Sequence, residues 1–390
     1  MLAAVMTTDA LDIFDPAHYA AVRRPVLEAA TLPAWCYTAP AFFERERERV
    51  FLKGWNFVGR ADEVADAGAY RAVETPGGPV LLVRDKDGNL RAFANTCRHR
   101  GARIATGSGT GRRLVCPYHA WTYDLTGRLV GAPGMDATTG FDTADWPLAP
   151  VRLETWQGFL FVCYSQSTPP LTDYLGDLTE QLGSYNFDDL VTTRRIDYDI
   201  PCNWKLLAEN AMEAYHTGTV HSASLGQQTG EQVRTSGHWD ALFIAQETSI
   251  AVLPGEAAPF PHIPTLSGRA REGTFFTMLH PNTQLACTQD ALWWSTFRPV
   301  AADRTILHVG QCFPRATAAR PDFPAEVEPY YRRWDKGIEE DNAIGAEQQA
   351  GLMSALRTPG RFSERESATH SLANWIVDQI IDDGLATRRI

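Results

Sequence analysis

Asn95-Thr-Cys-Arg-His-Arg-Gly-Ala102 and Cys116-Pro-Tyr-His-Ala-Trp-Thr-Tyr-Asp124 are the stretches whose reading decides the fold of this chain. Each sets one cysteine beside one histidine: Cys97 with His99, and Cys116 with His119. The chain has seven cysteines and ten histidines in 390 residues. Two such pairs this close together arise by chance in roughly one chain in a thousand.

Two thiolates and two imidazoles at this spacing suit a [2Fe–2S] cluster of Rieske type, with both cysteines on one iron and both histidines on the other. A structural zinc site is the competing reading. Zinc spacing groups cysteine with cysteine and histidine with histidine, whereas each arm here is mixed, so iron–sulfur is preferred. Around the arms, Val80–Val83, Leu90–Ala94 and Arg113–Val115 read as short strands. Residues 123–130 read as a hairpin turning at Thr126-Gly127. The glycines of Thr106-Gly-Ser-Gly-Thr-Gly-Arg-Arg113 do not make a phosphate loop: Arg112 stands where G-x-G-x-x-G needs its last glycine, and no helical pattern follows. A turn between strands is expected there.

A length of 390 residues allows two domains, each with its own core. The net charge of −11 argues against nucleic acid or an anionic membrane as partner, and leaves room for a basic docking surface on an electron donor. No apolar run is long enough to span a bilayer. Residues 1–10 lack a cationic stretch, and Asp9, Asp12 and Asp15 come early, so a signal peptide is not expected. The cysteines outside the arms, Cys36, Cys163, Cys202, Cys287 and Cys312, are scattered and odd in number. Buried free thiols in a cytoplasmic protein are the expectation.

Residues 41–53 read as a charged helix whose Phe42, Phe43, Val50 and Phe51 face a core. Strand-like segments follow to about Tyr164, and Ser165-Gln-Ser-Thr-Pro-Pro170 reads as a linker. Beyond it, Thr274–Leu279, Gln284–Thr288, Leu292–Arg298 and Thr305–Phe313 read as antiparallel strands, and a long helix runs from about Pro324 to Leu356. Strands first and a long helix last make an α+β second domain. Trp293 and Phe297 share a strand face, with Trp294 and Arg298 on the other. With Phe275 and Phe276, these aromatics either wall a pocket for an aromatic ring or a quaternary ammonium, or are simply core. The irregular stretch from Pro254 to Gly273 is a candidate lid.

A second constellation begins at Cys202. The segment to His216 reads as one helix with Trp204, Leu207, Ala208, Ala211 and Tyr215 on an apolar face. Leu206, Asn210, Glu213 and His216 form a polar stripe, which is ordinarily a solvated face. Here, however, Thr217-Gly218 reads as a helix stop, and His221 follows. On a regular helix the two imidazoles would lie about 140° apart; unwinding near Gly218 would let His221 swing back towards His216. Two histidines and a carboxylate around an iron with open positions is the non-haem Fe(II) arrangement that activates O₂. Of Glu339, Glu340 and Asp341, only Asp341 lies on the stripe Trp334, Ile338, Asp341, Gly345, Gln348, Leu352. An acid on a largely buried stripe needs a partner, and a metal would be one. A surface acid slightly out of phase is the alternative.

Taken together, these residues resemble the Rieske ring-hydroxylating oxygenases. The two arms resemble that family's cluster signature, with a departure at Ala120, where the family usually has glycine. Asn203-Trp-Lys with Glu209-Asn210, Glu213-x-x-His216-x₄-His221, Glu340-Asp341, Gly351-Leu352-x-Ser354 and Gly360-Arg-Phe-Ser363-x-x-Glu366 resemble its catalytic domain. The resemblance implies an α+β chain: an all-β Rieske domain, then a helix-grip, START-like catalytic domain with an antiparallel sheet and a long C-terminal helix. It places an N-terminal segment packing on the catalytic domain at 1–45, the Rieske domain at 46–165 and the catalytic domain at 171–390. By position, Cys97, His99, Cys116 and His119 would hold the [2Fe–2S] cluster, and His216, His221 and Asp341 the mononuclear Fe(II). Glu213, where many members have aspartate, would be the carboxylate linking the two centres.

The same resemblance implies O₂ as co-substrate and electrons from NAD(P)H through a separate flavin/iron–sulfur reductase or ferredoxin. It also implies a head-to-tail homotrimer in which His119 of one chain reaches Glu213 of the next. The C-terminal motif and modest length look similar to the branch with choline monooxygenase, glycine betaine demethylase and carnitine oxygenase. That favours C–H hydroxylation of a small organic substrate, including oxidative N- or O-demethylation and quaternary ammonium compounds. Ring cis-dihydroxylation by a dioxygenase α subunit is the alternative. A pure Rieske electron carrier, an alternative of another class, would have no use for His216, His221 or a second domain.

Overall fold

The computed structural model describes residues 12–381; the reading of segment 1–10 and the outer ends of the first and last expected domains lie outside the described residues. The chain divides into two compact units, Phe51–Leu171 and the remainder on either side of it. No helix among the described residues is long and apolar enough to cross a membrane.

Phe51–Leu171 is an all-β unit with two apolar cores, and one strand explains why there are two. Gly78–Arg84 carries the unbroken run Val80-Leu-Leu-Val83, apolar at every position as a strand covered on both faces must be. Leu81 and Val83 join one core with Cys97, Cys116, Trp121 and Tyr123; Val80 and Leu82 join the other with Val58, Leu160 and Val162. The strand is part of an antiparallel sheet in the order Leu90–Ala94, Gly78–Arg84, Ala69–Thr75, Ser108–Thr110. The glycine-rich stretch therefore supplies an edge strand rather than only a turn. Gly109 permits this pairing, because a Cβ there would lie 2.7 Å from the Tyr70 hydroxyl. The hairpin Thr122–Tyr123 with Leu129–Gly131 turns at Thr126-Gly127 as expected, and the Asp124 carboxylate accepts the backbone N–H groups of Thr126 and Arg128.

The larger unit is built on a seven-stranded antiparallel sheet. Its order is Leu190–Ile200, Arg304–Pro314, Leu292–Ala301, Thr283–Cys287, Gly273–Leu279, Trp239–Ala245, Glu231–Val233. Four of these strands match the sequence reading to within a few residues. Together with the all-β unit and the long helix Glu328–Leu352, they make the α+β arrangement that the sequence implied. The helix starts later than expected because Phe323–Glu326 forms a separate short helix before it. Its buried side carries Tyr330, Arg333, Trp334, Gly337, Ile338, Gly345 and Gln349. Gln349, not Gln348, is the buried glutamine; its Oε1 accepts the backbone N–H of Asn203 at 2.9 Å. A Cβ on Gly345 would come within 3.2 Å of Leu207, so the bare glycine lets the helix Trp204–Asn210 lie close alongside.

The charged helix near the N-terminus runs from Pro40 to Glu46 and widens into a looser turn over Arg47–Phe51. Phe42, Val50 and Phe51 are buried as expected, with Phe43 only half covered. Glu46 is also fully buried, its Oε1 2.6 Å from the Lys205 ammonium.

Candidate metal centres

The segment Cys202–His216 is not one helix. Asn203 caps Trp204–Asn210 by accepting the backbone N–H of Lys205, and regular helix ends at Asn210. Glu213 explains the break: its carboxylate turns back to accept the backbone N–H groups of Tyr215 and His216, which sets up a new turn. That turn is the short helix Thr217–Val220, with His216 before it and His221 after it. Gly218, expected to unwind the chain, lies inside this helix. A single turn flanked by the two histidines brings their ring centroids to 5.1 Å, at an angle of 71°.

Asp341 reaches the same point from the long helix. Its Oδ1 lies 3.5 Å from His216 Nε2 and 3.2 Å from His221 Nε2. One ligand atom from each of the three falls within 4.8 Å of the others. Asn210 Nδ2 donates to Asp341 Oδ1 at 3.2 Å. Both outer imidazole nitrogens are held by acids: His216 Nδ1 lies 2.6 Å from Glu213 Oε1, and His221 Nδ1 lies 2.7 Å from Glu340 Oε2. Burial alone would lower the pKa of His221; Asp341 and Glu340 outweigh it and raise it. Burial would likewise raise Glu340, but hydrogen bonds from Ser224, His221 and Lys336 hold it below the usual carboxylate range.

This donor set fits a ferrous ion with open positions. Adjacent ligands of a first-row ion stand about 3 Å apart, and each outer N–H has the carboxylate acceptor that metal-bound histidines use. The role of Glu340 escaped the sequence reading. It was the unassigned acid beside Asp341, and the need of a second metal-bound histidine for an outer acceptor was the available clue.

A cavity of about 800 Å³, counted with its open mouth, adjoins the three residues. Leu207, Leu242, Ile244, Phe276, Phe297 and Leu307 give it apolar walls, and Arg333 lines it from the long helix. Of the expected aromatic walls, Phe276 and Phe297 reach the cavity. Trp293, Trp294 and Phe275 are buried core. From the irregular stretch after Pro254, Pro254, Gly255 and Glu256 border a neighbouring cavity that Arg333 also lines.

In the all-β unit the two Cys/His arms fold into matching loops. Gly101 N–H donates to Cys97 O at 2.9 Å, and Ala120 N–H donates to Cys116 O at 3.0 Å. Each loop ends on a left-handed residue, Gly101 at φ +76° and Ala120 at φ +57°. Cys97 and Cys116 are buried thiols, and the rings of His99 and His119 stand 4.7 Å apart. The Nδ1 atoms of both histidines are buried with no hydrogen-bond partner among the described residues. Orphaned buried nitrogens need an explanation; with two buried thiols beside them, they fit a [2Fe–2S] cluster bound through Nδ1. Burial raises the Cys116 thiol, while the backbone N–H groups of Tyr118 and His119 pull the other way and would favour a thiolate. Tyr123 Oη lies 3.5 Å from Cys97 Sγ.

Known proteins resemble the chain along its length. A family model described as the Rieske [2Fe-2S] domain matches residues 54–151, and one described as the ring hydroxylating alpha subunit (catalytic domain) matches 187–382. The glycine betaine monooxygenase oxygenase subunit of Pseudomonas aeruginosa is 26% identical over 387 aligned positions, covering 90% of each chain. The carnitine monooxygenase oxygenase subunit of Escherichia coli is 38% identical over 218 residues, covering 55% of this chain and 57% of that one. A solved quaternary ammonium Rieske monooxygenase in complex with γ-butyrobetaine superposes with a TM-score of 0.77 at 25% identity, covering 92% of this chain and 98% of that one. The match over 187–382 removes the electron-carrier reading.

Proposed function

The chain belongs to the ring-hydroxylating alpha-subunit family, with a Rieske [2Fe–2S] domain ahead of its catalytic domain, and from that premise we propose that it hydroxylates a small methylated ammonium compound. It is an oxidoreductase with a Rieske cluster and a mononuclear iron, and its electrons come from a separate reductase. Attack at an N-methyl carbon would end in demethylation. The observation that carries the reading is the convergence of His216, His221 and Asp341 at the wall of an apolar-sided cavity.

In this reading Cys97 and Cys116 hold one iron of the cluster and His99 and His119 the other, while His216, His221 and Asp341 hold the single iron. When bound, the cluster supplies a one-electron relay and the single iron supplies dioxygen activation. The chain's own contribution is positional. Glu213 and Glu340 accept the Nδ1 protons and so fix both imidazoles with their Nε2 lone pairs inward. Asn210 steadies Asp341. The apolar walls keep water from the reacting carbon and hold it beside the three ligands.

The substrate class is supported by relatives named for glycine betaine and carnitine, and by Phe276 and Phe297 as faces for an onium group. We also assign a head-to-tail trimer in which Glu213 receives electrons from His119 of the next chain; the description of one solved relative speaks of inter-subunit electron transfer. Seven unpaired cysteines suit a reducing compartment, and we place the protein in the cytoplasm. An oxygen-uptake screen with a surrogate reductase tests the proposal against methylammonium compounds, methoxyaromatics and benzoates. Uptake matched by formaldehyde from a methylammonium compound supports it. Protein shown by iron and sulfide analysis to hold both centres, yet inert towards every compound, would sink it.

A further inference from the structure

Arg333 is a buried charge at the cavity that the proposed reaction leaves without a task. It lies two turns before Asp341 on the long helix and is only 4% exposed. A guanidinium has five N–H donors. Here Nε donates to the backbone oxygen of Ile250 at 2.8 Å, and the terminal nitrogens have no hydrogen-bond partner and no carboxylate within ion-pair reach among the described residues. Nor are those nitrogens sealed away: they keep some accessible surface, and the residue lines the cavity. Nη1 would stand 3.5 Å from a Cβ on Gly337, so it lies beside that glycine, where Leu225 Cδ1 approaches to 3.4 Å. Burial lowers the Arg333 pKa to about 10, with Asp341 opposing, and the group remains a cation at neutral pH.

A buried cation without an anion is costly, and chains seldom keep one that a neutral side chain could replace. One hydrogen bond to Ile250 is within the reach of a glutamine. Arg333 also bears on what the cavity can hold. Its guanidinium carbon sits 4.1 Å over the indole of Trp334, and Trp293 stacks on that indole at 4.7 Å. Trp334 lines the cavity with both of these groups already close to its ring. The indole, the best cation site among aromatics, already carries the protein's own cation.

We propose that Arg333 binds the carboxylate of the substrate, so that the cavity takes a small acid whose reacting carbon points from that carboxylate towards Asp341. The inference rests on the reading of this cavity as the oxygenase's substrate site. The planar fork of the guanidinium matches a carboxylate with two parallel bonds, and Nη1 lies beside Gly337, about one helical turn before Asp341. An N-methylated amino acid carries both a methylated ammonium group and a carboxylate. A cationic alcohol such as choline carries only the ammonium group.

Calorimetric titration of the metal-loaded oxygenase, without reductase so that nothing turns over, tests the proposal. The probes are glycine betaine against its methyl ester and 4-methoxybenzoate against its methyl ester. At least one acid should bind about tenfold more tightly than its ester, the preference should vanish in R333Q, and R333K should keep part of it. No acid preference in the unaltered protein, including no binding by either acid, overturns the proposal, as does a preference that survives in R333Q. The acid–ester comparison needs no variant, so a misfolded R333Q leaves the test decisive. Oxygen uptake with choline but no acid preference sinks the role of Arg333 and spares the oxygenase reading. Arg333-dependent acid binding with no uptake from any compound does the reverse.

Discussion

The histidines of the all-β unit offer Nδ1 from two five-residue loops, whereas those of the larger unit offer Nε2 from the two ends of one short helix, towards an aspartate on a helix far along the sequence. In the loops the backbone does the positioning: Gly101 and Ala120 each return an N–H to the cysteine four residues earlier, and the histidine lies inside the ring that this closes. In the larger unit a backbone-bonded turn sets His216 near His221, but among the described residues no such ring takes in Asp341. Side chains do the work instead, with Glu213 and Glu340 behind the imidazoles and Asn210 beside the aspartate. A centre built on local backbone should tolerate changes around it and fail only when a ligand is lost. One built on side chains should weaken by degrees.

The largest effect comes from removing one ligand at each centre. Cys116→Ser should abolish cluster absorbance and acid-labile sulfide while the single iron stays. Asp341→Ala should remove the single iron and leave the cluster spectrum unchanged. Iron and sulfide analysis with EPR of the reduced protein reads both outcomes. Loss of both centres in either variant would end the claim that they are built independently.

The acids behind the imidazoles sharpen the contrast. Glu340→Ala frees His221 Nδ1 and should weaken iron binding about 10- to 100-fold, measured by competition with a chelator. Glu213→Ala should lower substrate turnover on the order of 100-fold or more even with iron saturating and the cluster still reducible, because in the proposed trimer it lies on the electron path. Retained turnover would take Glu213 off that path.

The same contrast governs what could be read in advance. The arms were legible because their geometry is local: residue type and spacing specify the loop almost completely. Asp341 was legible from phase, being the one acid of three on the buried stripe. His216 and His221 were legible as candidates, but the route between them was not, since it depends on Glu213 bonding to backbone two and three residues ahead. Glu340 and Arg333 were missed because what defines them, Nδ1 of His221 for one and the missing anion for the other, comes from tertiary structure. Among the strands, Leu190–Ile200 and Glu231–Val233 escaped because both are edges: the first alternates only over Ile196–Ile200, after the polar run Thr192-Thr-Arg-Arg195, and the second is three residues long. Trp239–Ala245 escaped because Asp240 interrupts its apolar run; that carboxylate is buried against His280 at 2.9 Å.

A third difference is buried charge. Next to Asn210 sits Glu209, whose carboxyl burial pushes up to about 7 from 4.5 despite a hydrogen bond from Tyr37. Between those values the folded chain holds a proton that the unfolded chain has released, so stability falls as pH rises through the window. The expected loss is about 3 kcal/mol for this one group. Glu209→Gln keeps an acceptor for Tyr37 and removes the titration. Urea unfolding at pH 5.5 and 8 should therefore show the unaltered protein losing more than the variant; equal losses would mean that Glu209 does not titrate in this window.

The smallest effect returns to the two loops, which differ where they should be most alike. Both close on a left-handed residue, but one uses glycine and the other alanine. Nothing lies within 4 Å of a Cβ built at Gly101, so a methyl group there meets no neighbour and its cost is purely conformational. A left-handed non-glycine residue costs roughly 1 kcal/mol, partly offset in glycine by the entropy of its unfolded chain. Gly101→Ala should therefore destabilise the all-β unit, and Ala120→Gly stabilise it, each by about 1 kcal/mol or less. Urea unfolding followed through cluster absorbance reads both changes in the cluster-loaded protein. Opposite signs of similar size would show that the loops are equivalent frames differing only in backbone strain. A loss of stability in Ala120→Gly would mean that the alanine methyl group is packed usefully and that the two loops are not interchangeable.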